Sequence, residues 1–277
     1  MRSLVSAVLV IAALVLAALA GPAIWAERNL VDGSGFVALA GPLGSNGDFQ
    51  KGLSSMVATQ AAAQLSLPQQ LQDVAAGVIK SAARSLYSQP GYADAWSETL
   101  RRSHDLTFNP SAQQQGSGDV RLDIAPLVQL VAAKVSSDTG VNLPTPKDTI
   151  VTFDQPEVAK AVPLVTRVGG MGMWLALAAV VLLLLALVVA RRRARTLVLA
   201  GLGMGLVALA WLLGSGLAGD QVTAMGAGNQ VVAQFGSELA AQAQASWHRG
   251  ITLGFIVAAV LVVVGLLTSL LGRSRTT

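Results

Sequence analysis

The sequence predicts a mainly α membrane protein, with four transmembrane helices carrying a mostly helical extracytoplasmic domain that includes a small two-stranded β element. Composition is the first reason: of 277 residues, 53% are hydrophobic and 12% charged, against about 25% charged in an ordinary soluble domain. The second is the presence of four stretches, residues 4–24, 170–190, 197–217 and 251–271, that contain no Asp, Glu, Lys, Arg or His. Each has the roughly 20 residues that ~30 Å of hydrocarbon requires at 1.5 Å per residue. The third is that the remaining charges are sorted along the chain.

Arg2 precedes the first stretch, Arg191, Arg192, Arg193 and Arg195 fill the turn between the second and third, and Arg273 and Arg275 follow the fourth. Lys and Arg in short loops are held on the cytoplasmic side. Both termini and the arginine turn are therefore predicted to be cytoplasmic. The two long segments then lie outside with twelve basic and fifteen acidic residues, a net of −3, so the overall charge of +4 expresses topology and implies no nucleic-acid partner. Trp25, Trp174, Trp211 and Trp247 fall near the outer span ends, where an interfacial aromatic belt would place them.

In chain order the prediction is a first span over 1–25, an extracytoplasmic α-rich domain over 26–169, a second span over 170–190 and a cytoplasmic arginine turn over 191–196. A third span over 197–217, an outer amphipathic helix over 218–250, a fourth span over 251–272 and a short inner tail over 273–277 follow. The first span has a competing reading as a cleaved signal peptide, given Arg2, an apolar run and Ala18-Leu19-Ala20 before Gly21. Its length, its single preceding charge and its continuation to Trp25 favour a retained anchor.

Within the outer domain, Asp32-Gly33-Ser34-Gly35 and Gly41-Pro42-Leu43-Gly44 predict loop. A helix is expected to begin after Ser45 or Asn46 and to run through Met56 and Val57 to Leu65, ending before Pro68. Leu71, Val74, Ala75, Val78, Ile79, Ala82 and Leu86 then recur at helical spacing with Gln72, Asp73, Lys80 and Arg84 opposite, and Pro90-Gly91 is the stop. A third helix carries Tyr92, Trp96, Leu100 and His104 at intervals of four, along one side. Beyond a Gln-rich polar stretch over 109–118, two strand-like runs, 120–124 and 149–153, each lead into a helix. Pro126 sits in the first turn of one helix and Gly140 closes it. Asp154-Gln155-Pro156-Glu157 opens the other with an acidic cap, a first-turn proline and a third-position glutamate. In the second outer segment Val231, Val232, Phe235, Leu239 and Trp247 follow a helical repeat that can run into the fourth span and pack on the main domain.

The order of these features, a first span, then Leu30, Asp32, Phe36 and Pro42-Leu43 ahead of a helix, Pro68, Trp96 with His104 eight residues on, Val120-Arg121-Leu122-Asp123, and three closing spans, resembles a group of actinobacterial integral membrane proteins. These have an extracytoplasmic domain between the first and second spans. The resemblance implies location and topology; it brings no activity and no functional residues with it.

Cysteine is absent, which excludes disulfides, thiolate metal sites, cysteine nucleophiles and a lipoprotein anchor. The chain has no phosphate-binding glycine loop, dinucleotide fingerprint, zinc-protease helix, serine nucleophile elbow or calcium loop, and the spans hold no group to relay protons or coordinate a coupling ion. No cofactor and no metal are expected. Tyr92, Trp96 and His104 are the candidate interaction residues, with His104 beside Arg102 and Asp105 able in principle to act as a ligand or a pH sensor. Core packing and a helix-end role are favoured for them, because no second ligand or nucleophile is spaced nearby. His248, beside Trp247 and Arg249, reads as an interface residue, with partnership to His104 the sharper alternative. Gly201 and Gly205 form a G-x-x-x-G on the third span, for close packing within the bundle or, alternatively, for an oligomer seam. The expected partners are the lipid bilayer and another envelope protein or cell-wall component. The functional reading is a non-enzymatic envelope protein whose outer domain binds such a partner. The alternatives are a permease-type subunit of an ABC export or envelope-remodelling complex, and an extracytoplasmic sensor, both of which lack an evident cytoplasmic surface for a partner.

Overall fold

The computed structural model describes residues 2–63, 69–108, 119–140, 146–154, 156–225 and 230–273. They divide into two compact units: Met1–Arg28, Val165–Gln221 and Ala243–Thr277 in one, Asn29–Leu164 and Val222–Gln242 in the other. In chain order the helices are α1 (Arg2–Ala26), α2 (Gly33–Ala40), α3 (Gly47–Ala63), α4 (Gln69–Arg84), α5 (Tyr92–Phe108), α6 (Ala125–Thr139), α7 (Pro156–Val189), α8 (Arg193–Met225) and α9 (Gln230–Arg273), with strands β1 (Asp119–Asp123) and β2 (Ile150–Asp154) on either side of α6.

The second unit is a helical domain with its own core. Leu43, Phe49, Leu53, Val57, Ile79, Leu86, Trp96, Leu100, Leu127 and Val131 meet there, and Phe235 and Leu239 of α9 pack against them. The segment expected to be loop is mostly helical, with a π turn at Glu27–Val31, then α2, then a 3₁₀ turn at Gly41–Ser45. Asp32 nucleates α2 as its N-cap, its Oδ1 accepting from Gly35 N at 2.8 Å. Leu39 and Ala40 are then buried; this burial outweighs the helix-weakening glycines that had suggested a loop. α3 starts where expected. Asn46 Oδ1 accepts from the amides of Asp48 and Phe49, both at 3.0 Å, the standard way of satisfying first-turn donors.

The apolar stripe expected of α4 is only half used. Ile79, Ala82 and Ala83, with Leu86 just beyond, are buried, but Val74 is 68% and Val78 37% exposed. α4 ends at Arg84, and a 3₁₀ turn at Leu86–Ser88 takes the chain to Gly91, whose φ of +88° a side chain would resist. Pro68 and the Gln-rich 109–118 stretch lie outside the described residues, as does Gln155 in the expected cap of α7. β1 and β2 pair antiparallel, with Arg121 opposite Thr152 and Asp123 opposite Ile150. α6 opens with Pro126 in its first turn and closes on Gly140 at φ +70°, as an αL helix stop does.

The first unit is built from α1 and the apolar parts of α7, α8 and α9. Arg2–Val31, Lys160–Val189, Arg193–Ser215 and Phe235–Leu271 are each long and apolar enough to cross a membrane. Their packing inverts that of a soluble bundle: most residues turned inward are small, among them Ser6, Ala13, Ala20, Ala186, Ala200, Ala208 and Ala258, while Leu184, Val188, Leu199, Leu213 and Leu253 are exposed. Small inward residues let helix backbones approach where the surroundings are themselves apolar. Ser6 Oγ donates to Ala186 O at 3.0 Å, tying α1 to α7. Helix bounds differ from the expected span bounds because helical propensity does not stop at a bilayer edge. α7 is one helix of 34 residues that absorbs the end of the predicted outer domain, α8 has 33, and α9 has 44, joining the predicted amphipathic helix to the fourth span.

Candidate functional site

The residues with candidate chemistry lie on α5. Tyr92, Trp96, Leu100 and His104 are all buried, and the three with polar atoms direct them at one short segment, residues 30–44. The Tyr92 hydroxyl donates to Gly44 O at 2.9 Å, Trp96 Nε1 donates to Gly41 O at 3.1 Å, and His104 Nε2 lies 3.0 Å from Leu30 O. A carbonyl is only an acceptor, so His104 Nε2 carries a proton. The stripe thus acts as a row of three donors to carbonyls of the 30–44 segment, one of which, Gly44 O, also accepts from Gln50 Nε2 at 2.7 Å, and it fixes that segment against α5.

Packing explains the glycines here. A Cβ at Gly44 would lie 2.5 Å from Trp96 Cδ1 and one at Gly33 3.4 Å from His104 Nδ1, so the indole sits against bare backbone. Trp96 also meets the Phe49 ring edge-on at 5.4 Å. The His104 imidazole stacks on Phe108 at 4.5 Å and tilts towards Phe36 at 5.3 Å. Its Nδ1 is buried without a hydrogen-bond partner among the described residues, and the nearest carboxylate oxygen, Asp105 Oδ1, is 3.9 Å away on an exposed side chain. Burial pushes the Tyr92 phenol up to about 12, because the apolar surroundings disfavour a phenolate. The Asp32 carboxyl is held below its usual range by the Ser34 hydroxyl and the Gly35 amide.

The neighbouring side of α5 carries a polar network whose roles the sequence did not signal. Ser103 Oγ donates to Thr99 O at 2.6 Å and accepts from Asp123 N at 3.0 Å. The buried Asp123 carboxylate accepts from the amides of Ala125 and Thr149, both at 3.0 Å. Arg102 lies 3.6 Å from its other oxygen and also engages Glu98 at 2.8 Å and the Lys147 carbonyl at 3.0 Å. The Arg102 bond holds the Glu98 carboxyl down, with Arg101 adding to the effect. Asp123 thereby fastens the start of α6 to the approach to β2. A strand-ending aspartate before a first-turn proline is the one hint of this in the sequence, and its long-range partner Thr149 leaves none.

In the first unit, His248 is exposed and its Nδ1 lies 2.8 Å from Gln244 O on its own helix. Gly201 is in close helix contact: a Cβ there would fall 2.8 Å from Ala258 O and 2.9 Å from Val262 N, whereas one at Gly205 would meet only Ala258 Cβ at 3.9 Å. Three of the tryptophans converge. Trp247 meets Trp25 at 6.0 Å and Trp211 at 5.5 Å. Trp25 Nε1 donates to Ser246 Oγ at 3.2 Å and Trp211 Nε1 to Ala18 O at 3.0 Å. Trp174 alone of the four is largely exposed. Glu27 has Oε2 enclosed without a hydrogen-bond partner among the described residues, beside Gly169 of α7. Arg191, Arg192, Arg193 and Arg195 are all exposed. Among the described residues no group of three or more His, Asp or Glu side chains is arranged to hold a metal ion. The chain matches no family model, no curated protein and no solved structure.

Proposed function

We propose that this is a non-enzymatic envelope membrane protein, anchored by its four apolar helices, whose helical domain stands on the extracytoplasmic face and binds another envelope protein or a cell-wall component. The observation that carries this reading is the use of the α5 stripe. Tyr92, Trp96 and His104 each commit a polar atom to a backbone carbonyl of the same domain, which makes them positioning residues of the fold. The inside-out packing of α1, α7, α8 and α9 supports the anchor, and the contacts of α1 with Ala186 and Trp211 support its retention as a span. The kinship proposed is with actinobacterial membrane proteins of the same span order.

A second reading, a sensor or a permease-type ABC subunit, draws on α9. That single helix contributes Phe235 and Leu239 to the core of the helical domain and Ala258 to the apolar unit, a covalent route for passing a change in one to the other. Two experiments separate these. Because the chain has no native cysteine, Ser137→Cys, at an exposed position near the end of α6, should react with an impermeant maleimide in intact cells and Arg192→Cys only after permeabilisation. The reverse pattern sinks the orientation. Crosslinking of the full-length protein in its native membrane followed by mass spectrometry should recover an envelope protein, and a stoichiometric cytoplasmic ATPase would instead select the permease reading.

A further inference from the structure

We infer that the arginine end of the apolar unit is a binding surface for anionic phospholipid. The inference rests on the reading of the four helices as membrane spans, and holds whichever side that end faces. Three contacts define the end: Ser6 of α1 bonds Ala186 near the close of α7, and Gly265 of α9 lies against Ala194 and Val198 at the start of α8. The start of α1, the α7–α8 turn and the end of α9 therefore gather together. They bring Arg2, Arg191, Arg192, Arg193 and Arg195 to one place, all exposed, with Arg273 closing α9.

Among the described residues no Asp or Glu stands at this end: of the unit's two acidic residues, Glu27 follows the far end of α1 and Asp220 lies in the last turns of α8, so the arginines have no acidic neighbour along their own helices. Guanidinium forks match phosphate oxygens in pairs. Immediately beside them the side chains become apolar and outward-facing: Leu4, Leu184, Val188, Leu199 and Leu202 are all more than half exposed. A free phosphate would use the arginines and leave these uncovered. An amphiphile with a negative headgroup and acyl chains fits both parts, the head on the arginines and the tails along the leucines. Each basic group near an anionic surface adds to the attraction, and four in one turn are enough to select among lipids.

The test uses the full-length protein incorporated into vesicles of phosphatidylcholine and phosphatidylglycerol in equal amounts, re-extracted in mild detergent, with retained lipid counted by native mass spectrometry. The wild type should retain phosphatidylglycerol over phosphatidylcholine by about tenfold. The R191Q/R192Q/R193Q/R195Q variant should retain the two alike, while K51Q/K80Q/R84Q/K134Q, which removes the same charge from the helical domain, should keep the preference. Equal retention by the wild type overturns the inference, and that ratio alone decides if the arginine variant does not fold. Equal loss in both variants overturns it too, as does displacement of the lipid by millimolar inorganic phosphate, which would mark a free-anion site. Failure to incorporate into vesicles would overturn the span reading beneath it; incorporation without lipid preference overturns the lipid surface alone.

Discussion

Trp96 illustrates how a residue that looks like a ligand contact becomes a structural one. Its ring lies against bare Gly44, its N–H is spent on Gly41 O, and 3% of it is exposed. Trp96→Ala should therefore cost about 3–5 kcal/mol of domain stability, read from chemical unfolding of the full chain in detergent; a loss below about 1 kcal/mol would mean the indole is not part of the core. Tyr92 gives a prediction in pH. Its proton is held more tightly in the folded state, up to about 12 against an ordinary value of 10.0. The stability this lends is complete below pH 10 and is lost as pH rises through the interval up to about 12. The melting temperature should fall across that interval more steeply in the wild type than in Tyr92→Phe, which should itself lose about 1 kcal/mol for the bond to Gly44 O. Parallel pH curves would show that the phenol is solvated.

At the scale of the element, the G-x-x-x-G of α8 separates into two unequal glycines. Gly201 faces the α9 backbone, where an added methyl would press on Ala258 O and Val262 N; Gly205 has ordinary contact distance to spare. Gly201→Ala should lower the thermal stability of the apolar unit by about 1–3 kcal/mol through overpacking, while Gly205→Ala should be neutral or slightly stabilising, since alanine is the better helix former. Equal effects in the two would show that the contact is not the seam. α4 teaches the complementary lesson about amphipathic pattern. Its spacing marks one continuous face, but the core reaches only the part from Ile79 onward, and Val74 is left in the open. Periodicity reports which side of a helix is apolar, and the length over which that side is covered depends on neighbours.

For the whole molecule, the decisive feature is that the helical domain is completed by a segment far along the chain. Phe235 of α9 lies 5.9 Å from Phe49 of α3, a pairing with five helices, α4 to α8, between the two residues in the chain. A double-mutant cycle of Phe49→Ala and Phe235→Ala should return a coupling of about 0.5–1.5 kcal/mol, and a value near zero would detach 222–242 from the domain.

Much of this was legible without coordinates, for physical reasons that are local. The four apolar helices follow from uncharged length alone, the start of α3 from Asn46, the limits of α6 from Pro126 and Gly140, and the buried row on α5 from spacing of four. The stretches 33–35 and 41–44 are helical where Gly and Pro predict loop, because the Asp32 cap and the burial of Leu39 and Ala40 depend on contacts that local composition does not carry. Which candidate residues carry chemistry was equally out of reach. Tyr92, Trp96 and His104 stand on one face by helix geometry, but whether that face meets a ligand or a row of carbonyls depends on where residues 30–44 lie. The sequence by itself determined the four apolar helices, their order and the main helices of the domain, but not α2. Tertiary structure alone decided which polar atoms were already satisfied, because a hydrogen bond between residues 30 and 104 depends on how the chain folds back and leaves no trace in the spacing of either residue.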